Sequence, residues 1–473
     1  MNDLWGVDAL IKAMNARPLG EMPEGIGGIS IDTRSLKAGD AYFAIKGDIH
    51  DGHKFIAAAQ SAGAALAVVA EEKLVTMGSA ALPLLVVKDV LGALELLGLA
   101  ARRRSKAKII AVTGSVGKTT TKEALRHVLS ASGAVHASVA SFNNHWGVPL
   151  TLARMPEDTK FGIFEIGMNH ANEITPLVKM VRPHVAVITN VGVAHLGAFA
   201  SVDEIARAKA EIFDGLVEGG FAVLNRDNRY FKMLGELAGA AGVKNIASFG
   251  EADGADVQLN KLKLHDRCSC MMAKLFGEDI AVKIGVPGRH IAQNVLAVLA
   301  VAKLAGADLT KSVLALGDMQ SEAGRGARHR LSVAAGTFTL IDESYNANPA
   351  SMKAAIDMLK SSEPSGSGRR IAVLGDMLEL GEHSGEMHAA LADELIDTNI
   401  DQVYLVGADM VHLQGRLPSS LLASYVPDVK QLQLILYSSL RTGDVVMVKA
   451  SKGIGFAGLV DELVREYQIK SDA

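Results

Sequence analysis

Cysteine and aromatic side chains are scarce in this chain. Only Cys268 and Cys270 occur among the 473 residues, and a single residue separates them. Because no second pair follows, the spacing does not predict a zinc site, and we expect two reduced strand residues in a cytoplasmic protein. Aromatic residues make up 5% of the chain and hydrophobic residues 49%, so we predict cores built mainly from aliphatic side chains and alanine.

Strong net charge and long apolar runs are also missing. The formal net charge of −4 argues against a broad surface for nucleic acid. The basic run at 102–104 is more typical of a solvated helix end than of a nucleic-acid patch. Apolar stretches such as 62–70 are too short to span a bilayer, and the acidic, amphipathic start at 1–14 does not fit a signal peptide. We expect neither a nucleic-acid partner nor a membrane span.

The most informative segment is 109–121, which reads IIAVTGSVGKTTT. An apolar run typical of a buried strand leads into a glycine turn, and a helical pattern follows. Backbone N–H groups at such a helix start can bind a phosphate, Lys118 adds a charge, and the Thr119 hydroxyl can hold Mg2+. The usual pattern has one more glycine, where this chain has Val112, so the match is to a shorter form. The predicted phosphate cradle consists of Gly114, Ser115, Val116, Gly117, Lys118, Thr119 and Thr120.

Alternating strand and helix patterns predict an α/β fold, and the length suggests about three domains. We place them at 1–105, 106–322 and 323–473. The first region mixes short strands and turns, whereas the second and third each have their own series of apolar strands. Ligands of parallel sheets bind beyond the carboxyl ends of the strands. The expected strands are 109–112, 162–166, 185–189, 221–224, 338–342, 371–375, 402–407 and 444–448.

Four further positions are candidates for chemistry. Glu165 ends an apolar strand, where a carboxylate is costly unless it is paired or bound to a metal. His195 follows another buried strand and is equally compatible with a structural role. Lys209, in a helix rich in small apolar residues, is by itself more typical of a surface lysine. Asp342 begins a stretch of acids and amides that ends at Pro349, which suits either a ligand-binding loop or an ordinary polar turn.

Together these segments resemble the Mur ligases, the ATP-dependent amide-forming enzymes of bacterial cell-wall synthesis. The resemblance covers essentially the whole chain. Within the family, YNANP at 345–349 and GDMLELG at 375–381 favour the member that joins D-Ala-D-Ala to UDP-MurNAc-tripeptide. The matching segments are 32–34, 42–47, 51–53, 113–120, 141–149, 164–168, 189–199, 287–294, 324–325, 342–349 and 374–381.

The resemblance implies a smaller N-terminal domain that binds the UDP-muramoyl-peptide, a central P-loop ATPase domain with a parallel sheet, and a Rossmann-like C-terminal domain. It implies that ATP phosphorylates the carboxylate of the tripeptide and that the amine of D-Ala-D-Ala then attacks the acyl phosphate. We accordingly expect a bacterial cytoplasmic enzyme, monomeric, that uses ATP and Mg2+.

Site residues are carried over from the family position by position. The implied catalytic residues are Lys118, Glu165, His195 and Lys209, and the implied metal positions are Thr119, Glu165, His195 and Lys209. In related ligases the lysine that matches Lys209 is carbamylated by CO2, which turns a cation into a metal-binding anion. Outside the cradle, the implied ATP contacts are Asn294 at the adenine, and Arg325 and Asp342 on the phosphate and ribose sides. The implied substrate residues are Thr33 and Arg34 for uridine, Asn143 and Asn144 for the muramoyl-peptide, and Tyr345, Asn346 and Asn348 at the junction of the ATP and dipeptide sites.

Other functions stay open at this point. Another Mur-type ligase or an enzyme like folylpolyglutamate synthetase shares the cradle and the amide-forming chemistry, although the N-terminal domain argues against a folate substrate. A nucleotide-dependent switch protein would hydrolyse ATP slowly and without regard to an amino-acid acceptor. An inactive regulator is disfavoured because Lys118, Thr119, Glu165, His195 and Lys209 are all present.

Overall fold

The computed structural model describes residues 3–77, 82–139, 141–194 and 196–468. Three large sheets of five, nine and six strands follow one another along these residues, each covered by helices. The predicted α/β fold class is confirmed. Each large sheet lies inside one of the predicted ranges 1–105, 106–322 and 323–473, whose exact bounds stay a prediction. No helix in the described part of the chain has the length and hydropathy needed to cross a membrane.

The first sheet has the strand order β2-β7-β6-β5-β4, with β2 antiparallel to β7 and the other pairs parallel. Helices α1 and α4 pack on one face and α2 packs on the other. Asp89 starts α4 by accepting hydrogen bonds from two backbone N–H groups of its first turn. The elements are β1 Trp5–Gly6, α1 Val7–Met14, β2 Arg17–Leu19, β3 Gly25–Ile26, β4 Gly28–Ser30, β5 Asp40–Phe43, α2 Ile56–Ser61, β6 Leu66–Ala70, α3 Leu74–Met77, β7 Leu84–Val87 and α4 Val90–Arg104.

The central sheet has parallel strands in the order β13-β12-β11-β8-β10-β9, and an antiparallel ribbon β14-β15-β16 extends it beyond β13. The helices α5 and α10 cover one face and α6 to α9 the other. Cys270 lies in β15, whereas Cys268 lies just before that strand. The elements are β8 Lys108–Thr113, α5 Lys118–Ser130, β9 Val135–Ala137, α6 Gly147–Ala153, β10 Phe161–Glu165, α7 Ile174–Val181, β11 Val185–Ile188, α8 Val202–Ala210, β12 Phe221–Asn225, α9 Phe231–Ala240, β13 Asn245–Gly250, β14 Val257–Leu264, β15 Ser269–Leu275, β16 Glu278–Ile284, α10 Arg289–Leu304 and α11 Leu309–Leu316.

The third sheet has the order β17-β18-β22-β19-β20-β21, parallel except for the edge strand β17. Helix α12 packs on one face and α16 and α17 pack on the other. The elements are β17 Ala327–Val333, β18 Gly336–Asp342, α12 Pro349–Ser361, β19 Arg370–Gly375, α13 Ser384–Ala390, α14 Ala392–Leu395, β20 Gln402–Val406, α15 Val411–Gln414, β21 Leu422–Val426, α16 Val429–Ser439, β22 Val445–Lys449 and α17 Phe456–Glu466.

The first two sheets are tied together through α6. Its Leu150 and Ala153 belong to the core of the first sheet, while its Val148 and Leu152 belong to the core of the central sheet. The indole Nε1 of Trp5 donates to the Ala153 carbonyl at 2.8 Å. Because one short helix serves two cores, we expect these two parts of the molecule to move as one unit.

The basic run at 102–104 also serves this junction, and the expectation of a solvated helix end is wrong for two of its three residues. Arg102 is buried and donates to the carbonyls of Val181 and Arg182 at 2.7 and 2.8 Å. The guanidinium of Arg104 lies 3.4 Å from the centre of the Trp5 ring. Backbone carbonyls and an aromatic face thus replace water around these cations.

Candidate active site

The phosphate cradle lies where β8 passes into α5. Gly114 has φ 152° and Gly117 has φ 82°, conformations that favour glycine. A Cβ at Gly114 would lie 2.0 Å from Thr189 Oγ1, and one at Gly117 would lie 2.7 Å from Asn294 Oδ1. Both glycines of the shorter motif are therefore required by backbone shape and by close neighbours, and the missing glycine at Val112 falls inside the buried strand β8.

Lys118 lies at the first turn of α5 and folds back over the cradle. Its Nζ donates to the Gly114 carbonyl at 2.6 Å. Burial lowers the pKa of the Lys118 ammonium, and the nearby Glu165 carboxylate opposes this shift. A phosphate placed against this group would favour its charged form, so the site is built for an anion.

Glu165 ends β10 with a carboxylate that is 1% exposed. Its Oε2 accepts from Thr119 Oγ1 at 2.9 Å, and its Oε1 accepts from Asn143 Nδ2 at 2.8 Å. A hydroxyl and a carboxylate at this separation are hard oxygen ligands of the kind that Mg2+ takes together with substrate phosphates. No group of three or more His, Cys, Asp or Glu able to hold a metal occurs among the residues described. A cation here therefore depends on further oxygens from the nucleotide and water.

Lys209 is buried, whereas its local sequence predicted a surface lysine. Lys209 is 2% exposed, and it lies in α8 among other buried residues, Ile205, Ala206, Ala208 and Ala210. Burial, reinforced by the charge of Lys118, lowers the pKa of Lys209 well below that of an ordinary lysine. Lys209 is therefore a buried lysine and not the surface lysine that the pattern predicted. His195, the other implied metal position in this region, lies outside the described residues.

The third sheet closes on the cradle through Arg325 and Tyr345. Arg325 Nη2 donates to Thr119 Oγ1 at 3.1 Å. The same guanidinium lies 4.0 Å from the centre of the Tyr345 ring, and the Tyr345 hydroxyl is hydrogen-bonded to Ser141 Oγ. One aromatic side chain thus links the cation next to the cradle with the loop that also carries Asn143.

The turn after β18 is held by a buried lysine. Lys449 Nζ donates to the Asn346 carbonyl at 2.9 Å and lies 3.3 Å from Glu343 Oε2. Burial lowers the pKa of Lys449, and the Glu343 carboxylate opposes the shift. Asn348 caps α12 by accepting from the Ser351 N–H, while its Nδ2 reaches the Ser115 carbonyl at 3.5 Å. The polar stretch at 342–349 is therefore an ordered turn that faces the cradle.

These elements enclose a cavity of about 680 Å3 between the central and third sheets. Sequence reasoning did not single out His290, Lys353 or Lys452, which also line it; each lies in a segment of ordinary helical or loop pattern. The predicted residues that line the cavity are Ser115, Val116, Gly117, Lys118, Thr119, Thr120, Asn143, Glu165, Asn294, Arg325, Tyr345, Asn346 and Asn348.

Other predicted site residues lie behind or away from this cavity. The buried Asp342 shapes the turn, since its Oδ2 accepts from the Gly324 N–H at 2.6 Å. Asn144 Oδ1 accepts from the Gly147 N–H at 3.0 Å at the start of α6. Thr33 and Arg34 lie near the first sheet, where the exposed Arg34 pairs with Asp32 at 2.6 Å. Residues that do not line the cavity are Gly114, Lys209, Asp342, Asn144, Thr33 and Arg34.

Three family models match the chain along most of its length. They describe a Mur ligase family catalytic domain at 25–107, a Mur ligase middle domain at 112–302, and a Mur ligase glutamate ligase domain at 329–452. A UDP-N-acetylmuramoyl-tripeptide–D-alanyl-D-alanine ligase from Rickettsia prowazekii is 33% identical over 92% of this chain and 94% of its own length. The chain belongs to the Mur ligase family. The ligase of the same name from Escherichia coli is 33% identical over 80% of this Mur ligase and 81% of its own length.

Solved structures agree with this family assignment. MurF from Acinetobacter baumannii superimposes with a TM-score of 0.83 at 30% identity and covers 98% of this Mur ligase and 99% of its own chain. MurF from Thermotoga maritima, in complex with ADP, gives 0.77 at 25% identity, with 94% and 98% covered. The folylpolyglutamate synthase of Mycobacterium tuberculosis gives only 0.57 at 14% identity over 77% of this chain and 94% of its own. That last likeness concerns the fold alone.

Proposed function

We propose that this Mur ligase joins D-Ala-D-Ala to UDP-MurNAc-tripeptide and cleaves ATP to ADP and phosphate, which gives the UDP-muramoyl-pentapeptide. The observation that carries the proposal is the 680 Å3 cavity in which a phosphate cradle faces the turn at 342–349. A cradle alone would suit many nucleotide-binding proteins, but a second polar wall opposite it provides room for an acceptor. The names of the relatives from Rickettsia prowazekii and Escherichia coli support this choice of substrates.

The reaction takes place in two steps. A carboxylate oxygen of the tripeptide attacks the γ-phosphorus of ATP, the bond to the bridging oxygen breaks, and ADP leaves with the electron pair. The amine of D-Ala-D-Ala then attacks the acyl carbon, loses a proton, and the tetrahedral adduct expels phosphate. Because phosphate is a far better leaving group than oxide, the activated carboxylate accepts the amine. The protein has to position the reactants and neutralise the charge that they bring together.

We assign ATP to the phosphate cradle and to the residues of the central and third sheets that lie beside it. Lys118 contacts the β- and γ-phosphates, and Arg325 approaches the phosphates from the third sheet. Asn294, which touches the cradle at Gly117, is assigned to the adenine. Asp342 is assigned to the ribose side, where it acts by shaping the turn at Gly324.

The oxygens of Thr119 and Glu165 fit Mg2+, and we assign them as its protein ligands beside the phosphates. When bound, Mg2+ offsets the negative charge of the phosphate oxygens. Asn143 keeps the Glu165 carboxylate in a fixed orientation by holding its other oxygen. His195 is proposed for a second metal position on the basis of the family resemblance.

We propose carbamylated Lys209 as another ligand at this second metal position. A lysine reacts with CO2 only as the neutral amine, and the lowered pKa of Lys209 favours that form. The nitrogen attacks the carbon of CO2 and releases a proton, which leaves an anion with two oxygens. The burial of Lys209 on α8, close enough to Lys118 to feel its charge, is the observation that supports this modification.

The remaining assignments concern the two peptide substrates. Thr33 and Arg34 are assigned to the uridine end, and Asn143 and Asn144 to the muramoyl-peptide. We assign the acceptor to the wall formed by Tyr345, Asn346 and Asn348. The enzyme is further proposed to act as a cytoplasmic monomer in a bacterium.

One assay tests the proposal. Release of phosphate is measured with UDP-MurNAc-tripeptide and ATP, with and without D-Ala-D-Ala. We expect phosphate release to rise at least about tenfold when the dipeptide is added, because the acyl phosphate turns over only when the amine attacks. Release that ignores the dipeptide, yet occurs with the nucleotide alone, would instead indicate a nucleotide switch. A response to glutamate or to diaminopimelate in place of the dipeptide would indicate a ligase with a different amino-acid acceptor.

A further inference from the structure

Lys122 is a buried lysine that the proposed reaction does not use. It lies one turn beyond Thr119 on α5 and its side chain is fully buried. Its Nζ donates to the Ser138 carbonyl at 2.8 Å and lies 2.6 Å from Glu123 Oε1. Glu123 is shared with Arg126, whose Nε donates to it at 2.5 Å. A buried ammonium is costly unless such partners surround it, so its placement calls for a specific reason.

The residue that Lys122 holds is connected to Glu165. Ser138 lies directly after β9, and its Oγ accepts the Glu165 N–H at 3.3 Å. Asn143, a few residues farther along, donates to Glu165 Oε1 at 2.8 Å. The main chain and the side chain of Glu165 are thus both fastened to the stretch of chain that follows β9. Lys122 anchors that stretch to the same helix that carries Thr119.

We infer that Lys122 is a positioning residue that fixes Glu165 and Asn143 relative to Thr119. Helix α5 then carries two residues that act on Glu165. Thr119 donates to the Glu165 carboxylate directly, and Lys122 holds the stretch of chain that follows β9 and orients this carboxylate. This inference rests on the proposed function only for its kinetic readout. The measurement of nucleotide binding requires only that the phosphate cradle binds a nucleotide and that a cation binds next to it.

The test compares Lys122→Met with Arg102→Met in the full-length protein. Both substitutions remove a buried cation that donates to backbone carbonyls, but Arg102 donates to Val181 and Arg182 at the junction of the first two sheets. The dissociation constant of a non-hydrolysable ATP analogue is measured by calorimetry with and without Mg2+. The Mg2+-dependent gain in affinity is the quantity of interest, because a purely structural substitution leaves it unchanged.

For Lys122→Met we expect Mg2+-free affinity within about twofold of the unmodified protein, a loss of about tenfold in the gain from Mg2+, and a fall in kcat of about tenfold or more. Lys122→Arg, which keeps a donor and the charge, should recover part of the gain. Arg102→Met should leave both the gain and kcat within about twofold. A normal gain and a normal kcat in Lys122→Met, or an equal loss in Arg102→Met, would overturn the inference.

Should Lys122→Met fail to fold, Ser138→Ala decides the question, because it removes only the hydroxyl that accepts the Glu165 N–H. We expect it to lower the gain from Mg2+ about threefold, and an unchanged gain would overturn the inference. If the unmodified enzyme ignores D-Ala-D-Ala, the proposed function fails, but the effect of Lys122 on Mg2+-linked nucleotide binding can still be measured.

Discussion

Lys118→Met lowers kcat/KM for ATP by about 1,000-fold or more, which corresponds to about 4 kcal/mol of lost transition-state stabilisation. The substitution removes the charge that faces the transferring phosphate, whereas the backbone cradle stays intact. The nucleotide-free protein should not become less stable, because burial already lowers the pKa of this ammonium and methionine fills a similar volume. Initial rates over a range of ATP concentrations and a thermal melt without nucleotide check the two parts.

The matched control is Lys106→Met, which removes an exposed lysine just before β8. We expect its kcat/KM and melting temperature to stay close to those of the unmodified enzyme. If Lys118→Met kept more than about a tenth of the activity, the cradle lysine would not act on the transferring phosphate. A large drop in melting temperature together with activity would show that Lys118 is structural.

Lys209→Ala is the second substitution with a large expected effect, again a loss of about 1,000-fold in kcat. If the lysine acts as a carbamate, the alanine variant lacks an anion and gains a space next to the site. Acetate or propionate can enter that space and supply carboxylate oxygens, so we expect either acid to restore activity at least about tenfold. High bicarbonate should restore nothing, because no amine is left to react. Steady-state rates across a series of acid concentrations provide the measurement.

Lys118→Ala under the same acids is the control, since a carboxylate cannot replace a cation that binds phosphate. Rescue of Lys209→Ala but not of Lys118→Ala is the expected pattern. Failure of every small acid to restore the Lys209 variant would contradict the carbamate. Equal recovery of both variants would point to a general effect of the acids on the protein.

Local pattern was enough to predict the phosphate cradle. An apolar strand, two glycines and a helix start are all encoded within a dozen residues, and the structure places them as β8, the turn at Gly114 and Gly117, and α5. The strands around it could be predicted to within one or two residues for the same reason. Their order in the sheet depends on contacts far apart in the chain. The antiparallel ribbon β14-β15-β16 is formed by local hairpins and was not predicted from the sequence.

The burial and the hydrogen-bond partners of individual side chains, in contrast, could not be predicted from the local sequence. Lys209 had the pattern of a surface lysine, but the packing of α8 buries it. Lys122 was passed over because nothing in GKTTTKE distinguishes a buried lysine from a solvated one. Asn144 and Asp342 had the polar character of ligands, yet their oxygens accept backbone N–H groups in the structure. Burial and hydrogen-bond partners are properties of the whole fold, which explains these differences.

In the proposed reaction, the tripeptide carboxylate becomes an acyl phosphate before the amine attacks. This order is tested most directly by labelling the terminal carboxylate of UDP-MurNAc-tripeptide with 18O and analysing the released phosphate by mass spectrometry after reaction with ATP and D-Ala-D-Ala. We expect one 18O atom in each phosphate, because the oxygen that attacks the γ-phosphorus leaves with it. Phosphate that carries no 18O, while ADP still forms, would exclude the acyl phosphate.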